Sequence, residues 1–462
     1  MKILMTLYQI QDYGGIINHV EFLAKGLKEL GHEVDLCMLV PKHQIKERFK
    51  PIGGMFEKAG TGYSHHQAKG WPNIRKYPYL NDRVRQRFRE NCSKYDAVLW
   101  HIPVPTLNKD NKGVSEWVEL YDNGSKNIAI IHDGNLPKLY PHLLLVSKWF
   151  HSAVCVHESA FHSARYHLDI PRKMIVNPFD QSGMVTELDW ERREGFAAIQ
   201  VFKAWKRVDT LIRAIPYIDE YDSNPLRKVT KCIGGAGIEY RYMTSKEKCK
   251  PKYFDTDGNK IWDVALANGM EYVGTIPNSH VLEILKDRKL QIDPSWSKKY
   301  SEYGAHFNRT TVEAMIMGAV PVATDLGMKN SQIFYGGENF IEVPHTATPE
   351  EFAEIINQGM NDEFVWRKIR ENNISLLKQF EMKTVAQEYI DLILHSKQKL
   401  ENTCFTETQS PVEGFQYFTE TYNNRVIKSY LKEPAKVACD KNLAFFNIPP
   451  HFNAHTGAQL SF

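Results

Sequence analysis

The stretch "KILMTLYQIQDYGGIINHVEFLAKGLKELGHEVDLCMLV", residues 2–40, reads as strand, helix, strand. "KILMTL" (2–7) is a short, largely apolar run of the kind buried on both faces of a parallel sheet. "DYGG" (12–15) breaks it. Ile16, Val20, Leu23, Leu27 and Leu30 then recur at steps of four and three, which is one face of a helix. Gly31 ends that helix and "EVDLCMLV" (33–40) opens the next strand. A strand that returns through a helix must pair in parallel, so this is a βαβ unit with a Gly-Gly turn at the carboxyl end of its first strand.

The same alternation continues along the chain. In the first half "AVLWHI" (97–102), "NIAIIH" (127–132) and "SAVCV" (152–156) read as strands, and "IVNPFD" (175–180) as a crossover. The rhythm restarts with "FAAIQVF" (196–202), "KVTKCIGG" (228–235), "MEYVGTI" (270–276), "LQIDPS" (290–295), "VPVATD" (320–325) and "FIEV" (340–343). Helical spacing lies around 208–219, 279–287, 349–359 and 382–395. The pattern predicts an α/β chain of two doubly wound, Rossmann-like domains, 1–178 and 179–395, facing a central cleft where strand ends meet a ligand. Residues 239–268 read as a polar insertion with a turn at "DTDGN" (255–259). The extension 396–462 carries Phe415, Phe418, Tyr422, Val426 and Tyr430 at helical spacing and is expected to pack on the body.

At 462 residues the chain is too long for a single core. Its 42% hydrophobic and 24% charged residues are those of a globular protein, and a net charge of +3 neither requires nor excludes a polyanionic partner. The apolar runs at 128–131 and 142–146 are far too short to span a bilayer. The N-terminal "MKILMTLYQIQDYGG" lacks the apolar core and cleavage site of a signal peptide. Seven scattered cysteines form no CxxC pair. A soluble, reduced, cytoplasmic protein without structural zinc is expected.

Four places could carry chemistry. Gly14 and Gly15, at a strand-to-helix turn, let the backbone approach a phosphate; equally, they serve a tight turn with positive φ. They do not form G-x-G-x-x-G, so a dinucleotide site is not supported. In "KAWKRVDTLIRAI" (203–215), Lys206 stands at the carboxyl edge of a strand, where it could neutralise a leaving diphosphate or simply be solvated. In "AHFNRTTVEAMIMGAVPVATDLG" (305–327), Glu313 falls in the first turn of a helix expected at 311–317 and closed by Gly318. Such a carboxylate complements the helix dipole, or it accepts hydrogen bonds from a sugar diol such as a ribose. Asn308, Arg309, Thr310 and Thr311 before it offer amides, hydroxyls and one cation. Last, His132 and Asp133, followed by Gly134, end the strand 127–132 and either act on a substrate proton or cap the next segment.

These pieces in this order resemble the GT-B fold, family-4-type retaining glycosyltransferases. The likeness is specific in "GGIINHVEFLAKGLKELGHEVDL" (14–36), "NGMEYVGTIPNSHVLEILKDRKLQIDPS" (268–295) and "VEAMIMGAVPVATDLG" (312–327), and "FEMKTVAQEYIDLIL" (380–394) resembles the family's closing helix. The resemblance makes Glu313 the second glutamate of the E-x7-E motif, which holds the ribose. It makes Lys206 the diphosphate-binding lysine and Gly15 the glycine of the loop facing the diphosphate. The first motif glutamate would stand at 305, where Ala305 is found, with Glu302 out of register. The arginine expected near 201 is replaced by Val201, with Lys203 close by. "IIHDGN" (130–135) and "AWKR" (204–207) also resemble phage DNA α-glucosyltransferases. That second likeness places Asp133 near the acceptor hydroxyl, sets Arg83, Arg85, Arg87, Arg89, Lys42, Lys46, Arg48 and Lys50 against DNA phosphates, and implies the host cytoplasm.

The expectation is transfer of a sugar from a nucleoside diphosphate sugar, a UDP-sugar, to an acceptor hydroxyl with retention of configuration. The acceptor is a hydroxymethylated pyrimidine in DNA, or a glycan or lipid-linked saccharide. A non-catalytic binding protein of the same fold is the rival that Ala305 favours. Lys206, with Lys203, Arg309 and the Gly14 and Gly15 amides, is expected to stabilise the leaving diphosphate, and His132 and Asp133 to handle the acceptor proton. No obligatory metal is expected, because no DxD pair stands at a strand end and "DTD" (255–257) reads as a loop.

Overall fold

The computed structural model of the chain describes residues 1–7, 15–38, 89–101, 121–132, 134, 149–222, 227–245, 247–296, 308–328 and 331–396. They form two compact units. The first is Met1–Pro178 together with the closing helix, and the second is Phe179–Glu381. No helix among the described residues is long and apolar enough to cross a membrane.

Unit 1 opens with β1 (Lys2–Leu7), α1 (Gly15–Glu29) and β2 (Glu33–Met38), the βαβ unit of the opening stretch. β3 (Ala97–His101), β4 (Lys126–Ile131), β5 (Ser152–Cys155), α2 (Glu158–His167) and β6 (Arg172–Met174) follow. The sheet order is β2-β1-β3-β4-β5-β6, parallel throughout. β3 and β5 are buried along their whole length, which is why they read as continuous apolar runs rather than alternating ones. On α1 the predicted stripe faces inward. Val20, Leu23 and Leu27 are fully buried, each contributing about 1.5–3 kcal/mol.

Unit 2 runs β7 (Phe196–Ile199), α3 (Val208–Ala214), β8 (Lys231–Gly234), α4 (Ile238–Thr244), α5 (Ile261–Ala267), β9 (Met270–Gly274), α6 (Asn278–Lys286) and β10 (Leu290–Asp293). It continues with α7 (Arg309–Met317), β11 (Val320–Thr324), β12 (Ile341–Val343), α8 (Pro349–Asn361) and α9 (Glu363–Leu376). The order β12-β11-β10-β7-β8-β9 is again parallel. Its core centres on Phe196, Leu211, Ile233, Leu290, Val320 and Trp366.

Three features differ from the sequence reading. The last helix, α10 (Met382–His395), belongs to unit 1 rather than closing the second domain. Gly26 explains how: a side chain there would collide with the Met382 backbone, so only glycine lets α1 approach α10 this closely. Lys126 Nζ donates to the Ile393 carbonyl at 2.7 Å, a cation at the carboxyl end of α10. Second, 239–268 is not a polar insertion. Met243, Tyr253, Ile261, Trp262 and Ala265 from this segment enter the unit 2 core, while Glu247, Lys248, Lys252, Asp257 and Asp263 between them are exposed. Third, α2, β6 and α9 were not legible. α2 is mostly polar and is capped by an imidazole, His157 Nδ1 accepting from Ala160 N at 3.2 Å.

Candidate functional site

In unit 2 the sheet turns back on itself between β7 and β10. Strands β8 and β9 continue to one side of β7, while β11 and β12 continue to the other side of β10. At such a switch point the two crossover helices diverge and leave a crevice outside the carboxyl ends of the strands. The chain that leaves β7 at this place makes a 3-10 turn, Ala204–Lys206. Arg207 then takes φ +50°, the one positive φ of a non-glycine residue among the described residues. Conformations of this kind cost about 1–3 kcal/mol and persist where the surroundings impose them. This one re-aims the chain directly after Lys206.

Lys206 is only 7% exposed, which rules out a solvated surface lysine. Burial lowers its pKa to about 8, the charge of Asp293 works in the opposite direction, and Lys203 lowers it further. Its ammonium lies 3.9 Å from the centre of the Trp205 ring. Asp293, at the end of β10, is 3% exposed. Its Oδ2 accepts from Asn308 Nδ2 at 2.6 Å and Thr311 Oγ1 at 3.2 Å, and its Oδ1 accepts from Ser295 N at 3.2 Å. Gln200, one residue past β7, accepts on Oε1 from Asn308 Nδ2 at 3.2 Å and Ser295 Oγ at 3.3 Å. A lysine in the turn after β7 and an aspartate at the end of the adjacent β10 are thus both buried and feel each other's charge, with the carboxylate also accepting from three donors. Burying a charge is tolerable only with such pairing.

α7 begins two residues earlier than expected, at Arg309, so Glu313 lies in its second turn and not its first. The dipole explanation for this acid weakens accordingly. Glu313 is 3% exposed. Its Oε1 lies 3.4 Å from Arg309 Nε, and Asn278 at the start of α6 also bonds to it. Burial raises its pKa, against the Arg309 charge and the two hydrogen bonds. The Arg309 guanidinium sits 4.0 Å over the Phe179 ring. Arg309 is therefore engaged with Glu313 and Phe179. Thr311 is fully buried on Asp293, while Thr310 Oγ1 is buried without a hydrogen-bond partner among the described residues. Gly318 takes φ +92° and ends α7 as expected. Lys203 is exposed, and Val201 is 48% exposed with no cation to offer in the arginine's place.

Unit 1 gathers imidazoles at its own switch point, between β1 and β3. His101 ends β3, His132 follows β4 and His19 lies on α1. His101 Nδ1 and His132 Nε2 are 3.2 Å apart, and the His19 ring meets the His132 ring edge-on at 4.9 Å. His19 Nδ1 donates to Asn177 Oδ1 at 2.7 Å, which leaves Nε2 to accept from the Tyr389 hydroxyl at 3.3 Å. His157 Nε2 donates to the His132 carbonyl at 3.2 Å. Burial holds His101 and His132 well below the usual imidazole range, and neighbouring imidazoles add to the effect. Burial brings His157 down to about 4. One ring nitrogen from each of His19, His101 and His132 lies within 4.8 Å of the others, close enough for a shared metal ion as well as for hydrogen bonds.

Gly15 opens α1 and is exposed, and Gly134 packs against Ser159. Gly14, Asp133, Glu302, Ala305 and the residues Arg83, Arg85, Arg87, Lys42, Lys46, Arg48 and Lys50 lie outside the described residues. "DTD" at 255–257 is a loop, as expected, closed by Asp255 N donating to Asn259 O at 2.8 Å. A surface hollow lined by Glu194, Arg227, Thr230, Met270 and Glu271 sits at the amino ends of β7–β9, away from Lys206. Asp293, Gln200 and Asn278 were missed in the sequence. Asp293 left a signal, an acid at the end of the otherwise buried run "LQID".

No protein-family model matches the chain, and comparison with curated proteins finds no match. Solved structures do match. HepE from Anabaena, crystallised with UDP, superposes with a TM-score of 0.60 at 15% identity over 85% of this chain and 100% of its own. The fold is GT-B. A TarM variant from S. aureus, in complex with Fondaparinux, α-GlcNAc-glycerol and UDP, gives 0.58 at 12% identity over 85% and 100%. The lipopolysaccharide outer core galactosyltransferase WaaB gives 0.53 at 12% over 85% and 99%. At these identities the likeness establishes the GT-B architecture.

Proposed function

We propose that this GT-B chain transfers a sugar from a UDP-sugar to an acceptor hydroxyl with retention at the anomeric carbon. The observation that carries the reading is Lys206, a buried lysine placed at the switch point of unit 2 beside Asp293. A buried ammonium at the carboxyl ends of parallel strands suits a phosphate ligand. Solved structures of the same fold hold UDP and UDP-glucose in HepE, which supports UDP as the carrier.

In the reaction the bond between the anomeric carbon and the diphosphate oxygen breaks, and a bond to the acceptor oxygen forms. The leaving UDP gathers negative charge as this happens. Lys206 stabilises that charge where it grows, which is the interaction that lowers the barrier rather than merely binding substrate. Lys203 assists. Glu313 holds the ribose, its carboxylate steadied from behind by Arg309 and Asn278. Thr310, whose hydroxyl has no hydrogen-bond partner among the described residues, is a further donor for phosphate or sugar. In unit 1, His132 orients the acceptor hydroxyl or takes its proton, with Asp133 beside it. Burial keeps His132 neutral at pH 7, as a base must be.

The acceptor is a saccharide or a saccharide-bearing carrier. WaaB acts on the lipopolysaccharide outer core and the TarM complex holds α-GlcNAc-glycerol, which supports this class. The DNA acceptor draws little from the described residues. Of the basic residues named for it, Arg89 alone is described, and its guanidinium donates to the Asp122 carbonyl at 2.6 Å and carboxylate at 3.1 Å.

A panel of nucleotide sugars against simple glycans, unmodified DNA and hydroxymethylated DNA, read by mass spectrometry, tests the proposal. Transfer from a UDP-sugar to a saccharide, with the product anomer matching the donor, is expected. Product on hydroxymethylated DNA alone would reassign the acceptor. An isomerised sugar formed without acceptor would mark an epimerase. A chain that neither transfers nor hydrolyses any donor would be a binding protein.

A further inference from the structure

We infer that Gln200 is a ligand-binding residue of unit 2, its side-chain amide donating a hydrogen bond to a diphosphate oxygen. The inference rests on the donor reading above and adds a residue to it.

The argument starts from Asp293, whose carboxylate oxygens accept from three donors. The Asn308 atom 2.6 Å from Asp293 Oδ2 must therefore be the amide nitrogen. The same nitrogen lies 3.2 Å from one terminal atom of Gln200, and that atom must be oxygen, because two NH2 groups cannot face each other. Ser295 Oγ, 3.3 Å from the same atom, donates to it as well. The orientation of the Gln200 amide is thus fixed, and its Nε2 turns away from Asn308 and Ser295. There it is buried and has no hydrogen-bond partner among the described residues.

An NH2 group carries two protons, and a buried donor left unpaired is costly to fold, typically as much as a hydrogen bond is worth or more. The backbone gives Gln200 no freedom to escape. Its N–H donates to the Gly234 carbonyl at 3.1 Å, and its own carbonyl is approached so closely by Gly235, at φ +122°, that a side chain there would collide with it. The orphan donor is built in, at the carboxyl end of β7 and six residues before Lys206. A buried donor of this kind, on the segment that also carries the buried Lys206, is suited to an anionic oxygen.

The test uses calorimetric titration of inorganic pyrophosphate and of UDP into the full-length chain, with thermal unfolding of the unliganded protein alongside. Gln200→Leu removes the orphan donor. It is expected to weaken both ligands about tenfold or more, while the unfolding temperature reports the separate loss of the oxygen that accepts from Asn308 and Ser295. Gln200→Glu keeps an oxygen facing Asn308 and puts a second one where the amide was, and it is expected to weaken both ligands further. Unchanged affinity in both variants would make Gln200 a purely structural residue and overturn the inference. Lys206→Ala run in parallel separates the two claims. Loss of binding there with Gln200 variants unaffected overturns only the role of Gln200. Unaffected binding in all three variants overturns the diphosphate site itself.

Discussion

At the switch point of unit 2 a lysine is buried against an aspartate and stays largely protonated at pH 7, with a pKa of about 8. At the switch point of unit 1 the buried groups are imidazoles, and burial holds His101 and His132 neutral. The strands and helices of the two units follow one plan, so the difference lies in the side chains placed at the strand ends. Asp293 and its three donors make a setting in which a cation survives burial. His19, His101 and His132 meet one another instead. The first arrangement is suited to balancing a charge that appears during a reaction, and the second to exchanging a proton without holding a charge.

The contrast breaks most sharply at Lys206. Lys206→Met should lower kcat by about 10²–10³-fold with the far-UV circular dichroism unchanged, since it removes stabilisation present mainly in the transition state. Normal turnover would detach the lysine from the diphosphate. On the other side, His132→Ala should lower kcat by about 10²-fold and leave UDP affinity intact. A matching loss of UDP affinity would move His132 to the donor. Glu313→Gln should act mainly on KM for the donor, about tenfold, with kcat nearly preserved. A fall in kcat at constant KM would show that it does not hold the ribose.

The smallest effect expected is on the pH profile. Above about pH 8 the Lys206 ammonium loses its proton and the diphosphate loses its counter-charge, so kcat/KM should fall on the alkaline side. Asp293→Asn removes the charge that opposes the effect of burial, so that limb should move to lower pH. An unmoved limb would remove Asp293 as the partner of Lys206. On the acid side His132 should impose no limb near pH 6.5, because burial sends its titration well below that value.

Much of this fold was legible in the sequence. Parallel strands buried on both faces must be continuously apolar, so "KILMTL", "AVLWH" and "VPVAT" could be read without neighbours. Helix α10 was found to the residue, but its unit was not. Its partner is decided by one glycine, Gly26, whose lack of a side chain says nothing about which backbone comes near. The segment 239–268 was misread because its core residues, Met243, Tyr253, Ile261, Trp262 and Ala265, are separated by the lysine-rich run 246–252, which shows no regular apolar spacing. Lys206 and Glu313 could be singled out as candidates, since each stands at a strand or helix end in a recognisable pattern. Their burial could not be seen, and it is burial that separates Lys206 from a solvated lysine. Asp293 and Gln200 come from strands almost a hundred residues apart, and their shared partner Asn308 is apparent only in three dimensions.

The most direct test of the central claim is proton uptake on UDP binding, measured calorimetrically at pH 9 in buffers of different ionisation enthalpy. Free Lys206, with a pKa of about 8, is then mostly neutral, and a diphosphate laid against it should restore the ammonium. The expected result is uptake of about one proton per UDP bound in the native chain and none in Lys206→Met. Tight binding of UDP at pH 9 with no proton taken up would contradict it.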